Sequence, residues 1–506
     1  MAGFLTAGSA AADEVLTFSG TVDASAPAHF TIPFEVPAGT NEIQIDHDDG
    51  DPDDILDWGL SSPSGFRGWG GGNDEPAIVS ELAASRSYLT GPIEAGTWAV
   101  DVGKAKVVGG TASYSVTVTL RDAPTLAPQP TRRPYAPAAA LRTEARWYAG
   151  DFHVHSAESG DAAATFDEIV ALAKSRGLDF VELSDHNTTS QLDFVTDVQS
   201  HAGSLLILPG VEFTTYAGHA NGIGATAFVD HKFDPSAPAI RAAADAFHAQ
   251  GALFALNHPA LDIGDACIGC AWKHDLPSSE IDAIEIVTAG SAQIFYEPAS
   301  RIWEELASQG AHVAAIGGSD DHRAGQDPGA FGTPIGSPTT MVFATELSAE
   351  GILTGIRNGR TVVKVRGPGD PMVELSELSQ DEPGTPPQIV ARITGGVGLD
   401  VRFVVDGELG DVVTIDSDPF ELTMEAAGAP GETHRYRVEV LEGVTPVTLT
   451  SHLWVTTPEP ASGSNDTYAA GGGCSAAAEA GPSWGGFALA LGVLAGAGGL
   501  MKRRRT

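Results

Sequence analysis

The sequence predicts an α/β protein: a distorted (β/α)7 barrel flanked by N-terminal and C-terminal β-sandwich domains, with a C-terminal membrane-spanning tail. Three observations predict it. Residues 145–370 alternate apolar strand-like runs with amphipathic helical runs, the pattern of a parallel α/β unit. Residues 13–122 and 371–457 carry short alternating strands between Gly, Pro and Asp clusters, with no competing helical period. Trp484–Met501 is an apolar run followed directly by Lys502-Arg503-Arg504-Arg505.

Taken in order, residues 1–12 end in Ala10-Ala11-Ala12 before Asp13-Glu14. This has the form of the tail of a secretory signal peptide without its basic start, or of an ordinary terminus. Within 13–122, Tyr114–Leu120 alternates cleanly, and a small jelly-roll-like sandwich follows. Its acidic loop, Asp46-His47-Asp48-Asp49-Gly50-Asp51-Pro52-Asp53-Asp54, reads either as a solvated turn or as a calcium loop, since Ca²⁺ takes clustered oxygens. Residues 123–144 hold five prolines and read as an extended linker, with Arg132, Arg133 and Arg142 available to pack on the next domain.

The barrel begins with a strand at Phe152–His155. The first helix is signed by Thr165-Phe166-Asp167-Glu168, a capping box, and is stopped by Gly177. Further strands are expected at 180–183, 205–211, 221–225, 253–257, 283–287 and 313–317, which makes seven. Residues 371–457 form the second sandwich, 458–483 a flexible Pro/Gly/Ser/Ala linker, and 484–506 the span with its basic tail.

Composition narrows the function. Against 28 Lys and Arg stand 66 Asp and Glu, a net charge of −38. Such a surface repels phosphate backbones, so no nucleic-acid partner is expected. Three cysteines make no disulfide scaffold. Cys267 and Cys270 form a lone CxxC, read as a short-loop disulfide or a pair of free thiols.

The chemistry gathers in the barrel. Eleven of the fifteen histidines lie between residues 153 and 322. His153 and His155 stand at i and i+2, so on a strand both rings share a face. Asp161 follows on the loop. The second strand runs into Ser184-Asp185-His186-Asn187, the third ends Gly210-Val211-Glu212, and His219 precedes the fourth. The fifth ends Asn257-His258-Pro259 and the seventh Ser319-Asp320-Asp321-His322-Arg323. In parallel α/β barrels the strand C-terminal ends build the active site. Imidazoles mixed with carboxylates suit Zn²⁺, Mn²⁺ or Fe²⁺. Such ions lower the pKa of bound water, to about 7 for zinc, so hydrolysis by metal-bound hydroxide is the economical expectation. Arg323 reads as a clamp for phosphate or carboxylate, or as a surface arginine. Glu285 reads as a core-edge carboxylate, with a supporting or substrate-facing place at the site as the other reading.

HxH, SDHN, GVE, NHP and SDxH in this order resemble the PHP (polymerase and histidinol phosphatase) superfamily over about 145–365. Asp57-Trp58-Gly59-Leu60, Gly65-Phe66-Arg67-Gly68-Trp69 and Gly96-Thr97-Trp98 look like the carbaryl-hydrolase-like (CehA/McbA) branch. The resemblance implies two or three divalent metal ions. His153, His155, Glu212 and Asp320 would hold one. Glu212 would bridge to a second, shared with His219 and His258. Asp161, His186 and His322 would hold the third, and Asp320, His322 and Arg323 would serve the reaction. The implied activity is ester hydrolysis on a small molecule, phosphoester first and carboxylic or carbamate ester second. A metal-stabilised binding module without catalysis is the third reading. Gly473-Cys474-Ser475 with the tail resembles the MYXO-CTERM sorting segment, which implies export, processing near Cys474 and display at the cell surface or outer membrane, the basic tail staying cytoplasmic until processing.

Overall fold

The computed structural model describes residues 13–288, 296–326, 333–379 and 385–459. Two four-stranded antiparallel sheets make the N-terminal unit. Glu14–Asp23, Thr111–Arg121, Glu42–Asp48 and Ala77–Ser80 pair in that order in one; His29–Val36, Gly96–Lys106, Ile55–Ser62 and Gly65–Gly71 pair in the other. Period-2 alternation decides which side chains turn inward: Ile43 with Ile45, Val100 with Val102, and Val116 with Val118 fill the space between the sheets around Trp98.

The central unit runs β1 (Arg146–Asp151), α1 (Phe166–Ser175), β2 (Phe180–Leu183), α2 (Leu192–Ala202), β3 (Leu206–Thr215), β4 (Gly218–Ile223), α3 (Ala237–His248), β5 (Leu253–Leu256), β6 (Ala283–Thr288), α4 (Tyr296–Ser308), β7 (Ala314–Gly318), β8 (Thr339–Ala344), α5 (Ala349–Arg357) and β9 (Thr361–Lys364). The helices form where the apolar period is 3.6. Thr165 caps α1 by accepting the Glu168 N–H, and Glu168 answers to the Thr165 N–H at 2.9 Å, the capping box expected. α1 buries Ile169, Val170 and Ala173; α3 buries Ile240, Ala243, Ala244 and Phe247.

The strands pair in the order β7-β6-β5-β4-β3-β2-β1-β8-β9. β1, β2 and β3 are parallel, as are β5, β6 and β7. Between these runs β4 is antiparallel to both neighbours. The strict strand–helix alternation expected from the sequence breaks here, because Tyr216-Ala217 is a tight turn that sends β3 straight back as β4. The sheet curls until the ends meet. Asp320 N–H donates to the His153 carbonyl at 2.8 Å and His155 N–H to the Asp321 carbonyl at 3.1 Å. β7 and β1 are not neighbours in the sheet order and meet through these residues just past the strand ends, while the Thr340 hydroxyl of β8 bonds Gly317 and the Thr361 hydroxyl of β9 bonds the Ala315 carbonyl of β7. The first strand is also shifted: the ladder covers Arg146–Asp151, and His153 and His155 lie just beyond it rather than on it.

The C-terminal residues form a three-stranded antiparallel sheet, Met372–Leu378, Gln388–Thr394 and Phe420–Glu425. It packs Val373, Ile389 and Ile393 against Val401, Tyr436, Val438 and Val440 of a second layer. That second layer is not separate. Its strand Thr445–Thr450 pairs antiparallel with β9, Val363 opposite Leu449, so the central sheet continues into it without a break. The proline-rich stretch 123–144 is bound rather than loose. Arg132 reaches Tyr88 O at 3.2 Å, Asp193 at 3.3 Å and Glu158 at 3.4 Å, tying the N-terminal unit to the centre. Among the described residues no helix is long and apolar enough to cross a membrane. The expected span 484–506, the sorting segment around Cys474 and the leader 1–12 lie outside them.

Candidate metal centre

Every candidate ligand reaches one place. The segment leaving β1 brings His153 and His155, and the loop before α1 brings Asp161. His186 follows β2, Glu212 and His219 sit on β3 and β4, His258 follows β5, and Asp320 and His322 follow β7. Asn187, His258 and Asp320 have φ of 50°, 27° and 57°, a region that non-glycine residues adopt only when their surroundings impose it. Three such residues at one end of one sheet mark where the chain holds an unfavourable conformation for the sake of the site. Close approach demands glycine beside it: a Cβ on Gly318 would collide with His153 and Glu285.

Glu212 is the hub. Its Oε2 lies 3.3 Å from His153 Nε2, 3.4 Å from His155 Nε2 and 2.8 Å from His186 Nδ1. Its Oε1 lies 3.1 Å from His219 Nδ1 and 3.4 Å from His258 Nε2. Asp320 Oδ1 stands 3.1 Å from both His153 Nε2 and His155 Nε2. Asp161 Oδ2 stands 3.3 Å from His186 Nε2 and 3.5 Å from His322 Nε2. Ligand atoms of His153, His155, Glu212 and Asp320 gather within 4.8 Å of one another, as do those of His155, His186 and His322.

The donor set fits divalent cations. Five imidazoles cannot all donate to one carboxylate, and burial opposes charging them together. Burial pushes His155 down to about 3 and lowers His219, so these rings keep nitrogen lone pairs at neutral pH. Burial alone would raise Glu212, Asp161 and Asp320, but the imidazoles beside them hold all three below the usual carboxylate range. His153 Nε2, His155 Nδ1, Glu212 Oε2, His219 Nε2 and His258 Nδ1 are buried without a hydrogen-bond partner. Burial opposes charging His153, His186, His258 and His322, but the same carboxylates raise all four, His322 to about 9, and a divalent cation would take the place of those shared protons.

Supporting residues orient the rings. Glu285 Oε1 lies 3.3 Å from His153 Nδ1, and its Oε2 accepts the His258 N–H at 2.7 Å, so one carboxylate steadies two candidate ligands. Asp320 O accepts from His322 Nδ1 at 2.9 Å, and Thr214 Oγ1 lies 2.7 Å from His186 Nδ1. Asp185 accepts the Ser156 N–H and hydroxyl, and burial raises it to about 7. Asp151 accepts the Ser319 N–H at 3.0 Å and the Gly336 N–H at 2.6 Å. Sequence reasoning gave Thr214, Asp151 and Asp185 no role. Thr214 and Asp151 signal themselves only by polarity at inward positions of apolar strands, and Asp185 only by its place in the SDHN motif.

Arg323 is not brought in: it is exposed and does not line the cleft over the centre. His274 lies apart, 2.6 Å from Thr215 Oγ1, and burial pushes it down to about 4. That cleft, of about 850 Å³, has a wall from the N-terminal unit: Trp69, Asn73 and the acidic loop face Asp161, His186 and Thr214. The loop's carboxylates are taken up by backbone N–H groups, Asp48 accepting the Gly50 N–H at 2.6 Å and Asp54 the N–H of the distant Val108 at 2.6 Å. Among the described residues its ligand atoms form no cluster of three, and the calcium reading gains no support. Cys267 and Cys270 are paired as a disulfide.

Residues 151–261 match the model of the PHP domain. Among solved structures the chain is similar to a Bacteroides vulgatus two-domain protein described as containing a predicted PHP-like metal-dependent phosphoesterase, at 19% identity and a TM-score of 0.38, covering 64% of this chain and 98% of that one. A second similarity, to the Yersinia pseudotuberculosis-derived mitogen, has 16% identity and a TM-score of 0.15, over 23% of this chain and 100% of that one. No curated protein matches.

Proposed function

We propose that this chain is a metal-dependent hydrolase with two or three ions held by His153, His155, Asp161, His186, Glu212, His219, His258, Asp320 and His322. The observation that carries the reading is Glu212, a buried carboxylate faced by five imidazoles inside the stretch that matches the PHP domain. When bound, the ions supply Lewis acidity and a water acidic enough to attack near neutral pH. The ligand types suit zinc, manganese or iron.

The chain's own work is orientation. Glu285 accepts a hydrogen bond from His153 Nδ1 and so turns Nε2 toward Glu212 and Asp320. The Asp320 carbonyl does the same for His322, turning Nε2 toward Asp161. Phosphoester hydrolysis, of a monoester or diester, is the leading reaction. Hydrolysis of a carboxylic or carbamate ester, as in the carbaryl-hydrolase-like branch, has one observation in its favour. Among the described residues lining the cleft there is no lysine or arginine to hold a phosphate dianion. We also read the central sheet as a distorted (β/α)7 barrel and the chain as exported to the cell surface; the Cys267–Cys270 disulfide supports an oxidising compartment.

The test is metal analysis of purified protein together with turnover of nitrophenyl phosphomonoester, phosphodiester and carboxyl-ester substrates. At least one transition metal per chain is expected, with phosphoester turnover that drops about a hundredfold or more in the His153→Ala, His155→Ala double variant. Less than one metal per chain overturns the reading. A metal-replete protein silent on every substrate points to a binding module instead.

A further inference from the structure

We infer that the Cys267–Cys270 disulfide is a redox gate on the second metal position, and that its reduction supplies Cys270 as a thiolate ligand beside His219 and His258. The inference rests on the proposed metal centre.

The placement carries it. Cys270 Sγ and one nitrogen each of His219 and His258 all lie within 4.8 Å of one another. All three residues are buried, with Cys270 at 1%, His219 at 1% and His258 at 4% exposure. Each ring turns one nitrogen to Glu212 Oε1, and the other nitrogens, His219 Nε2 and His258 Nδ1, have no hydrogen-bond partner. The loop after β5 is built to bring the sulfur there. Trp272 N–H bonds to Pro259 O at 2.9 Å and Lys273 N–H to Ala217 O at 2.6 Å, pinning the loop across the β3–β4 turn. Gly269, with φ of 81°, packs so closely on Thr215 and Tyr216 that a Cβ would collide with their backbone. The residue after it is therefore driven inward. Cys267, by contrast, is part-exposed, and a surface pocket of about 210 Å³ reaches both cysteines.

The chemistry follows from the two states. In the disulfide, the Cys270 sulfur is neutral and shared, a poor ligand. A dithiol reductant gives two electrons and two protons to the bond and leaves as its own disulfide, and Cys267 and Cys270 become thiols. Cys270 then loses its proton on binding a cation. Thiolate and two imidazoles make a three-donor N₂S set, which suits Zn²⁺ or Co²⁺ and disfavours Mg²⁺ and Ca²⁺. The thiolate adds a donor that the disulfide withholds, so the reduced form binds zinc more tightly.

Cobalt(II) reads this directly. The full-length protein, freed of metal and loaded with Co²⁺, is compared oxidised and after reduction by a dithiol that is then removed. Reduction is expected to add a near-ultraviolet sulfur-to-cobalt charge-transfer band to the visible bands of bound cobalt, and to raise zinc affinity about tenfold or more. Cys267→Ser, which leaves Cys270 free, should show the sulfur band without reductant; Cys270→Ser should never show it while keeping the visible bands. Visible cobalt bands with no sulfur band in either reduced wild type or Cys267→Ser overturn the gate and leave the metal centre standing. No cobalt binding in any form overturns both.

Discussion

Glu212 concentrates the site in one side chain, and Glu285 keeps that site in order from one step away. Glu285→Gln retains the size and most of the hydrogen bonding but cannot hold the His153 Nδ1 proton as a carboxylate does. We expect metal affinity to fall about 10- to 100-fold with the far-ultraviolet circular dichroism unchanged, measured by competition with a chromophoric chelator. The nine candidate ligands were legible because each is a chemically distinctive residue at or near a strand end, in an order that the PHP resemblance also carries. Thr214 and Asp151 were not legible in their roles, and for Glu285 a supporting place at the site stood only as the second reading. Their positions matter only through which strands lie side by side, and the pairing of β6 with β7, which sets Glu285 beside Gly318 and His153, is not written in any local pattern.

Local signals placed the start and stop of the first helix and did less well for strand ends. Thr165→Ala removes the α1 cap on both sides of the capping box and should cost about 1 kcal/mol in a urea titration, with activity retained. The first strand ends earlier than its apolar pattern does, because past Asp151 the backbone turns from its sheet neighbours to bond Asp320 and Asp321. α4 illustrates a link that no local pattern announces. Burial alone would raise its Glu304 carboxyl, but His452 and Arg437 hold it down to about 2, below the ordinary 4.5. The folded value lies below the unfolded one, so this contribution is present above about pH 4.5 and is lost as pH falls toward 2. Thermal unfolding of Glu304→Gln should therefore lie below wild type at neutral pH, with the gap closing between pH 4.5 and 2.

At the scale of the molecule, the mixed α/β class and the acidic balance were readable from composition and period, while the junctions between units were not. The N-terminal unit is part of the cleft, and it docks through a buried ion pair, Lys232 Nζ to Asp101 at 2.8 Å, and a half-buried stack of Phe66 on Phe228 at 3.7 Å. Because Asp48 and Asp51 line that cleft, substitution of both by Lys should raise kcat/KM for 4-nitrophenyl phosphate severalfold at low salt, and the gain should shrink at high salt. An unchanged rate at both salt concentrations would show that the acidic wall does not sense substrate charge.

The shared sheet has a consequence for anyone who would cut the chain. β9 gives one edge to β8 and the other to Thr445–Thr450. A fragment trimmed to the central unit would carry Thr361–Lys364 as a raw edge, four buried residues with unpaired N–H and C=O groups. Such a fragment is a template for another copy of itself, and its failure mode is strand-by-strand aggregation rather than simple unfolding.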